Sequence, residues 1–237
     1  MKNNKVLVVA AHPDDEVLGC GGAIIDHIKN GDEVHIVTLT DGVTARIYQP
    51  AISRKVEIKK HKKAIANRRA EFYKAAQIMG VKKQNCYYLG LPDQRLDAFP
   101  LIDIIKQIEK VAAKIRPNVV YTHHWGDLNR DHRVCYEAVL TAFRPGKQVN
   151  EKISMFCFEI PGNMNVLAPV QVNKFNPNHL IDITSHIQTK IDALDAYKSE
   201  TSDWPHPRSR QAVKNLAKTR GRIKGMDYAE GFEGRDK

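Results

Sequence analysis

The chain has 237 residues, 42% of them apolar, a formal net charge of +10 and four cysteines. That size suits one large α/β domain over residues 1–237, and no apolar run is long enough to cross a bilayer. Cys20, Cys86, Cys135 and Cys157 form no CxxC pair, and the N-terminus enters a strand without a signal-peptide layout; both fit reduced thiols in a cytoplasmic protein and argue against a disulfide frame.

Lys5 to Glu16, KVLVVAAHPDDE, organises the rest. Its apolar run is continuous and β-branched, which suits a strand covered on both faces, and Pro13 ends the ladder. His12, Asp14, Asp15 and Glu16 then fall at the strand's carboxyl end, the edge where open α/β sheets bind ligands. Gly19, Gly21 and Gly22 are expected to open a helix running to about Asn30, and they lack the third glycine of a dinucleotide fingerprint. A second strand, Glu33 to Thr40, ends in Asp41-Gly42. Val43 to Ser53, with Arg46 and Tyr48, has no period and reads as a loop over the site.

A long helix is predicted from Arg54 to Met79, with Arg68 and Glu71 three apart on one side. Cys86 to Leu91 is a short strand running into Pro92 and Asp93. Ala98 to Ile115 reads as an amphipathic helix with Ile102, Ile105, Ile108, Val111 and Ala112 inward. Asn118 to Thr122 is a further strand, and it delivers the polar segment His123 to His132. Strand–helix alternation over these residues predicts a Rossmann-like, mostly parallel sheet with helices on both faces and all the polar strand tips on one edge. The last third is a mixed α/β extension. It holds strands at Lys152 to Ile160 and Leu180 to Ile183, and a helix opened by a Ser185/Gln188 capping box and running to about Ser199. The rigid connector Trp204-Pro205-His206-Pro207-Arg208 leads to a basic helix from Ser209 to Arg220, and the tail from Gly231 is expected to be loose. The basic stretches Arg54 to Arg69 and Arg208 to Lys224 read as solvated helix faces. They lack interleaved aromatics, which argues against nucleic acid.

Buried acids are costly unless paired or bound to a cation. An imidazole and a carboxylate at one strand tip therefore suggest half of a metal site, and catalytic zinc commonly keeps three protein ligands and an open position. His12 and Asp15 are candidates from the first tip. The third is expected from residues 123–132, with His132 first and His123 or His124 as alternatives. Asp14 is the candidate general base, and Asp131 is read as a helix cap or as orienting a neighbour. The reaction class is metal-assisted hydrolysis of an amide or ester. Iron(II) or another divalent ion can use the same donors as zinc.

AHPDDE near the N-terminus, followed by TDGVTAR, RRAE, LGLPDQRLD, GDLNRDHR and PHPRS, resembles the LmbE/PIG-L de-N-acetylases over nearly the whole chain. The resemblance implies an LmbE-like fold and a zinc-dependent hydrolase that removes acetyl groups from an amino sugar or sugar conjugate. Such enzymes serve surface polysaccharide, glycolipid or related pathways. It implies zinc on His12, Asp15 and His132, with Asp14 as base and then proton donor. Many members carry HPDH where this chain has Asn129-Arg130-Asp131-His132, so Asn129 stands at the place of a carbonyl-polarising histidine, with His124 or His206 as substitutes. Arg46, Arg68 and Asp93 are candidates for sugar hydroxyls or a phosphate. The substrate is expected to be a small N-acylated sugar, nucleotide-linked and lipid-linked forms included. A homo-oligomer is compatible with the sequence. The competing reading is a non-catalytic carbohydrate- or anion-binding protein on the same scaffold, for which Asp14 would be superfluous.

Overall fold

The structure is a computed structural model that describes residues 3–47, 54–144, 153–163, 174–200 and 202–236; Tyr48 lies outside them. Seven strands form one sheet: β1 (Lys5–Ala10), β2 (Glu33–Thr40), β3 (Cys86–Leu91), β4 (Val119–His123), β5 (Ser154–Phe158), β6 (His179–Asp182) and β7 (Ala229–Asp236). Their order is β3-β2-β1-β4-β5-β7-β6; the first five are parallel and β7 runs antiparallel to both β5 and β6. The helices are α1 (Asp15–Lys29), α2 (Arg54–Ile78), α3 (Leu101–Ile115), α4 (Arg130–Ala142), α5 (Ile187–Leu194) and α6 (Arg210–Arg222).

The alternation of β1 decides the layers. Val6 and Val8 face a core shared with α1, α2, α5 and α6, whereas Leu7 and Val9 face α3 and α4. The chain thus winds outward from β1 on one face and from β4 on the other. The crevice outside the carboxyl ends of β1 and β4 is the topological switch point of the sheet.

Four details depart from the sequence expectation. The glycines do not open α1: the helix starts at Asp15, and Cys20 (φ −147°, ψ 24°) breaks it in the middle. There a Cβ on Gly19 would strike the Phe158 ring and one on Gly22 would strike Ile183, so the glycines allow close approach of the broken helix to β5 and to the end of β6. Ile102 is 53% exposed, because it lies about 120° of helix away from Ile108, the centre of the buried stripe. The Ser185/Gln188 capping box does not form: Gln188 donates instead to Asp192, and α5 ends at Leu194. The tail is not loose. Ala229–Asp236 is a ladder strand with Phe232 fully buried, an order set by backbone pairing that its glycine-rich sequence conceals.

Candidate functional site

The first tip is a sharp turn between β1 and α1. Asp14 sits at φ 126°, a region non-glycine residues rarely adopt, and its carbonyl accepts the first helical bonds from Val17 (3.1 Å) and Leu18 (3.0 Å). Its own N–H donates to Glu16 Oε2 at 3.1 Å, while the Tyr197 hydroxyl donates to the other oxygen of Glu16. Burial, opposed by the Tyr197 bond, pushes the Glu16 pKa up to about 8. Arg68 braces the same turn from α2. Its five N–H groups reach Glu71, Pro13 O, Gly42 O, Ser199 and Glu200, so every donor is committed to the protein. Arg68 therefore holds the turn in place with its whole guanidinium. Arg46 joins this brace by pairing with Glu200.

His12, Asp15 and His132 converge. His12 Nδ1, Asp15 Oδ2 and His132 Nε2 lie 3.0, 3.1 and 3.3 Å from one another, and all three residues are buried. Donors about 2.0–2.1 Å from a tetrahedral ion stand about 3.3–3.4 Å apart, so the triangle fits one divalent ion. Asp15 Oδ1 is buried without a hydrogen-bond partner, as expected where a cation belongs. The same residues are one of three His/Asp groups able to hold a metal among the described residues. His123, Asp127 and His132 form another, but the rings of His123 and His132 stack at 3.9 Å and 20°, so their in-plane lone pairs run side by side and do not converge. His123 Nε2 is also taken by the Ala11 N–H at 2.9 Å.

Carboxylates face the outer nitrogen of both candidate histidine ligands. His12 Nε2 faces Asp93 Oδ1 (3.2 Å) and Asp131 Oδ2 (3.3 Å), and His132 Nδ1 faces Asp127 Oδ2 (2.8 Å). Asp131 Oδ1 is fixed in turn by the Leu96 N–H. Asp93 and Asp131 thus orient His12, and the cap of α4 is Asn129, whose Oδ1 accepts the Asp131 N–H at 2.9 Å. Burial works to lower the His12 pKa, but Asp15 and the two outer carboxylates hold it well above its ordinary value. Burial likewise works to raise Asp15, and His132, His12 and His123 hold it well below. Asp14 also meets Arg208, whose Nη1 donates to its Oδ2 at 3.2 Å. Burial pushes the Asp14 carboxyl up to about 7 against the pull of that guanidinium.

The remaining candidates do not join the cluster. His124 is buried but turns toward β7: its Nδ1 accepts the Gly126 N–H and its Nε2 lies 3.4 Å from Glu233. His206 is exposed and accepts the Arg208 N–H on Nδ1. Asp127 and Arg208 are the residues that sequence reasoning missed. The five-residue spacing from Asp127 to His132 was a usable signal for the first. Arg208 gave none beyond its PHPRS motif, since it meets Asp14 across 194 positions.

Fold and site together define a class: α/β proteins that place a His/Asp cluster able to hold a divalent ion, with a further buried carboxylate beside it, at the switch point of a mostly parallel sheet. Comparison with known proteins narrows it. Residues 7–143 match the family model described as PIG-L, GlcNAc-PI de-N-acetylase, and the chain belongs to that family. It is 27% identical to the diacetylchitobiose deacetylase of Thermococcus kodakarensis, covering 96% of this chain and 82% of the relative. It is 28% identical to the 4-oxalmesaconate hydratase of Pseudomonas putida, covering 96% and 87%. Its fold matches the N,N'-diacetylchitobiose deacetylase of Pyrococcus horikoshii with a TM-score of 0.75 at 25% identity, covering 98% of this chain and 84% of the other. No helix among the described residues is long and apolar enough to cross a membrane.

Proposed function

We propose that the chain is a zinc-dependent hydrolase of one domain, residues 1–237, that removes the acetyl group from the nitrogen of an amino sugar or sugar conjugate in the cytoplasm, in surface polysaccharide, glycolipid or related biosynthesis. One observation carries the reading: a buried carboxylate, Asp14, stands on a strained turn next to three donors that converge within 3.3 Å of one another. His12, Asp15 and His132 would hold the ion, which when bound supplies Lewis-acid polarisation of water and of the amide carbonyl. Asp93 and Asp131 fix the ring of His12, and Asp127 fixes that of His132. Asp14 accepts the proton of the attacking water and returns it to the departing nitrogen. Its backbone stays in the strained conformation because Glu16 and Arg68 grip the turn.

The hydratase relative supports a second reading, addition of water to an unsaturated acid at the same centre. A binding protein without catalysis has no use for Asp14. Acetate release from N-acetylglucosamine and N,N'-diacetylchitobiose, measured with and without chelator, separates the three. The deacetylase reading expects one zinc per chain, activity lost to chelator and restored by zinc, and Asp14→Asn retaining zinc while kcat falls about 10²–10⁴-fold. Zinc-loaded enzyme that hydrates an unsaturated acid and releases no acetate would replace it with the second reading. A protein whose iron content tracks activity while zinc does not would change the metal assignment.

A further inference from the structure

Arg208 touches the candidate base, yet nothing in its motif explains it. The connector that presents it is held in shape by its own hydrogen bonds. The His206 N–H donates to Asp203 O (3.0 Å), the Ser209 N–H to His206 O (2.9 Å) and the Arg208 N–H to His206 Nδ1 (3.2 Å). Ser209 Oγ then caps α6 by accepting the Ala212 N–H. Pro207 presses on the segment after β5 so closely that a Cβ on Gly162 would come within 2.7 Å of it. From this fixed base the guanidinium spans to Asp14, and Nη1 to Oδ2 is its only side-chain hydrogen bond among the described residues. The side chain is 23% exposed. Arg68, on the other side of the same turn, has spent all five donors, whereas Arg208 has spent one of five on the described residues. Asn129 caps α4 through its carbonyl oxygen and carries no charge, so a guanidinium is the stronger donor to an anionic oxygen.

We propose that Arg208 is a catalytic residue whose open N–H groups receive the acetamide oxygen as it becomes an oxyanion; this rests on the deacetylase reading above. In that reaction the water oxygen bonds to the carbonyl carbon, the π pair moves onto the carbonyl oxygen, and Asp14 takes the water proton. The pair then returns, the C–N bond breaks, and Asp14 gives its proton to the nitrogen, leaving a free amine and acetic acid, which releases its own proton to solvent as acetate. The attacking water and the carbonyl approach within about 3–3.5 Å. The group that takes the proton and the oxygen that takes the charge are therefore near neighbours, and one planar guanidinium can donate to both. The charge exists only between the two bond changes, so the contact acts on kcat.

The test combines turnover of N,N'-diacetylchitobiose and N-acetylglucosamine, zinc content, and calorimetric binding of the methylphosphonamidate of glucosamine, a tetrahedral mimic whose anionic oxygen stands for the oxyanion. For Arg208→Ala the expectation is a kcat loss of about 10²–10³-fold, little change in KM, unchanged zinc, and a parallel loss of affinity for the mimic. Arg208→Lys should recover part of both losses and Arg208→Gln little, and this pair carries the test if the alanine variant does not fold. A raised KM at unchanged kcat, or undiminished binding of the mimic, overturns the role. Wild-type protein that releases no acetate and does not bind the mimic removes the deacetylase reading and Arg208's part with it. Wild type that does both, beside an Arg208→Ala enzyme that also does both, removes Arg208 alone.

Discussion

Two clusters of buried charge lie at opposite stretches of α1, and they differ in how their polar atoms are satisfied. In the first, Lys190 donates to Leu18 O (2.9 Å) and Glu230 Oε1 (2.6 Å), and Glu230 accepts the N–H groups of Gly22 and Ala23 at 2.8 Å each. Beside the break at Cys20, this ion pair takes up one carbonyl and two N–H groups of the helix backbone. In the second, around His12 and His132, the buried Oδ1 of Asp15 and the Nδ1 of His123 have no hydrogen-bond partner among the described residues. A buried charge that is fully paired is architecture. A buried cluster that leaves lone pairs uncommitted is built around something it binds.

Three substitutions sharpen this contrast. The largest effect is expected on the satisfied cluster: Glu230→Gln leaves the Lys190 charge buried without its partner, so unfolding free energy should fall by about 3–5 kcal/mol in urea while zinc stoichiometry is unchanged. Loss of zinc without loss of stability would show that the two clusters are not separate. Next is Glu200, which joins Arg46 and Arg68 behind the strained turn. Burial opposes its ionisation, but the hydrogen bond from Arg46 and the charge of Arg68 hold its pKa below the ordinary 4.5. Its contribution is therefore complete above about pH 4.5 and disappears as the pH falls through the lower folded value. Glu200→Gln should cost about 1.5–3 kcal/mol at pH 7 and nothing once wild-type Glu200 is protonated. A stability difference that does not change with pH would refute that account. The smallest effect is expected at the unsatisfied cluster. Asp127→Asn removes the carboxylate behind His132 and should weaken metal affinity about 10–100-fold, measured by competition with a chromogenic chelator, with little change in the stability of the metal-free protein.

What was legible beforehand follows sequence distance. His12, Asp14 and Asp15 sit within four positions on a strand–turn–helix junction, where apolar continuity, Pro13 and the acids all speak locally. His132 was legible because it, too, opens a helix after a buried strand. The pairing of Arg68 with Glu71 was legible because it is local, while its Glu200 partner, 132 positions away, was not. The Ile102 assignment failed because spacings of three fit either edge of a stripe. The reading of the tail failed because a ladder is made by backbone groups, which every residue carries.

The amino-acid sequence by itself determined the alternating order of strands and helices, the parallel character of the first four strands and the polar character of their tips, because periodicity, turn chemistry and residue type are properties of neighbouring positions. The tertiary structure alone decided which donors converge, that β7 closes the sheet, that Glu230 repairs a broken helix, and that Arg208 rather than His206 stands over Asp14. Each of these is a contact between segments far apart in the chain, and its geometry depends on how the whole core packs.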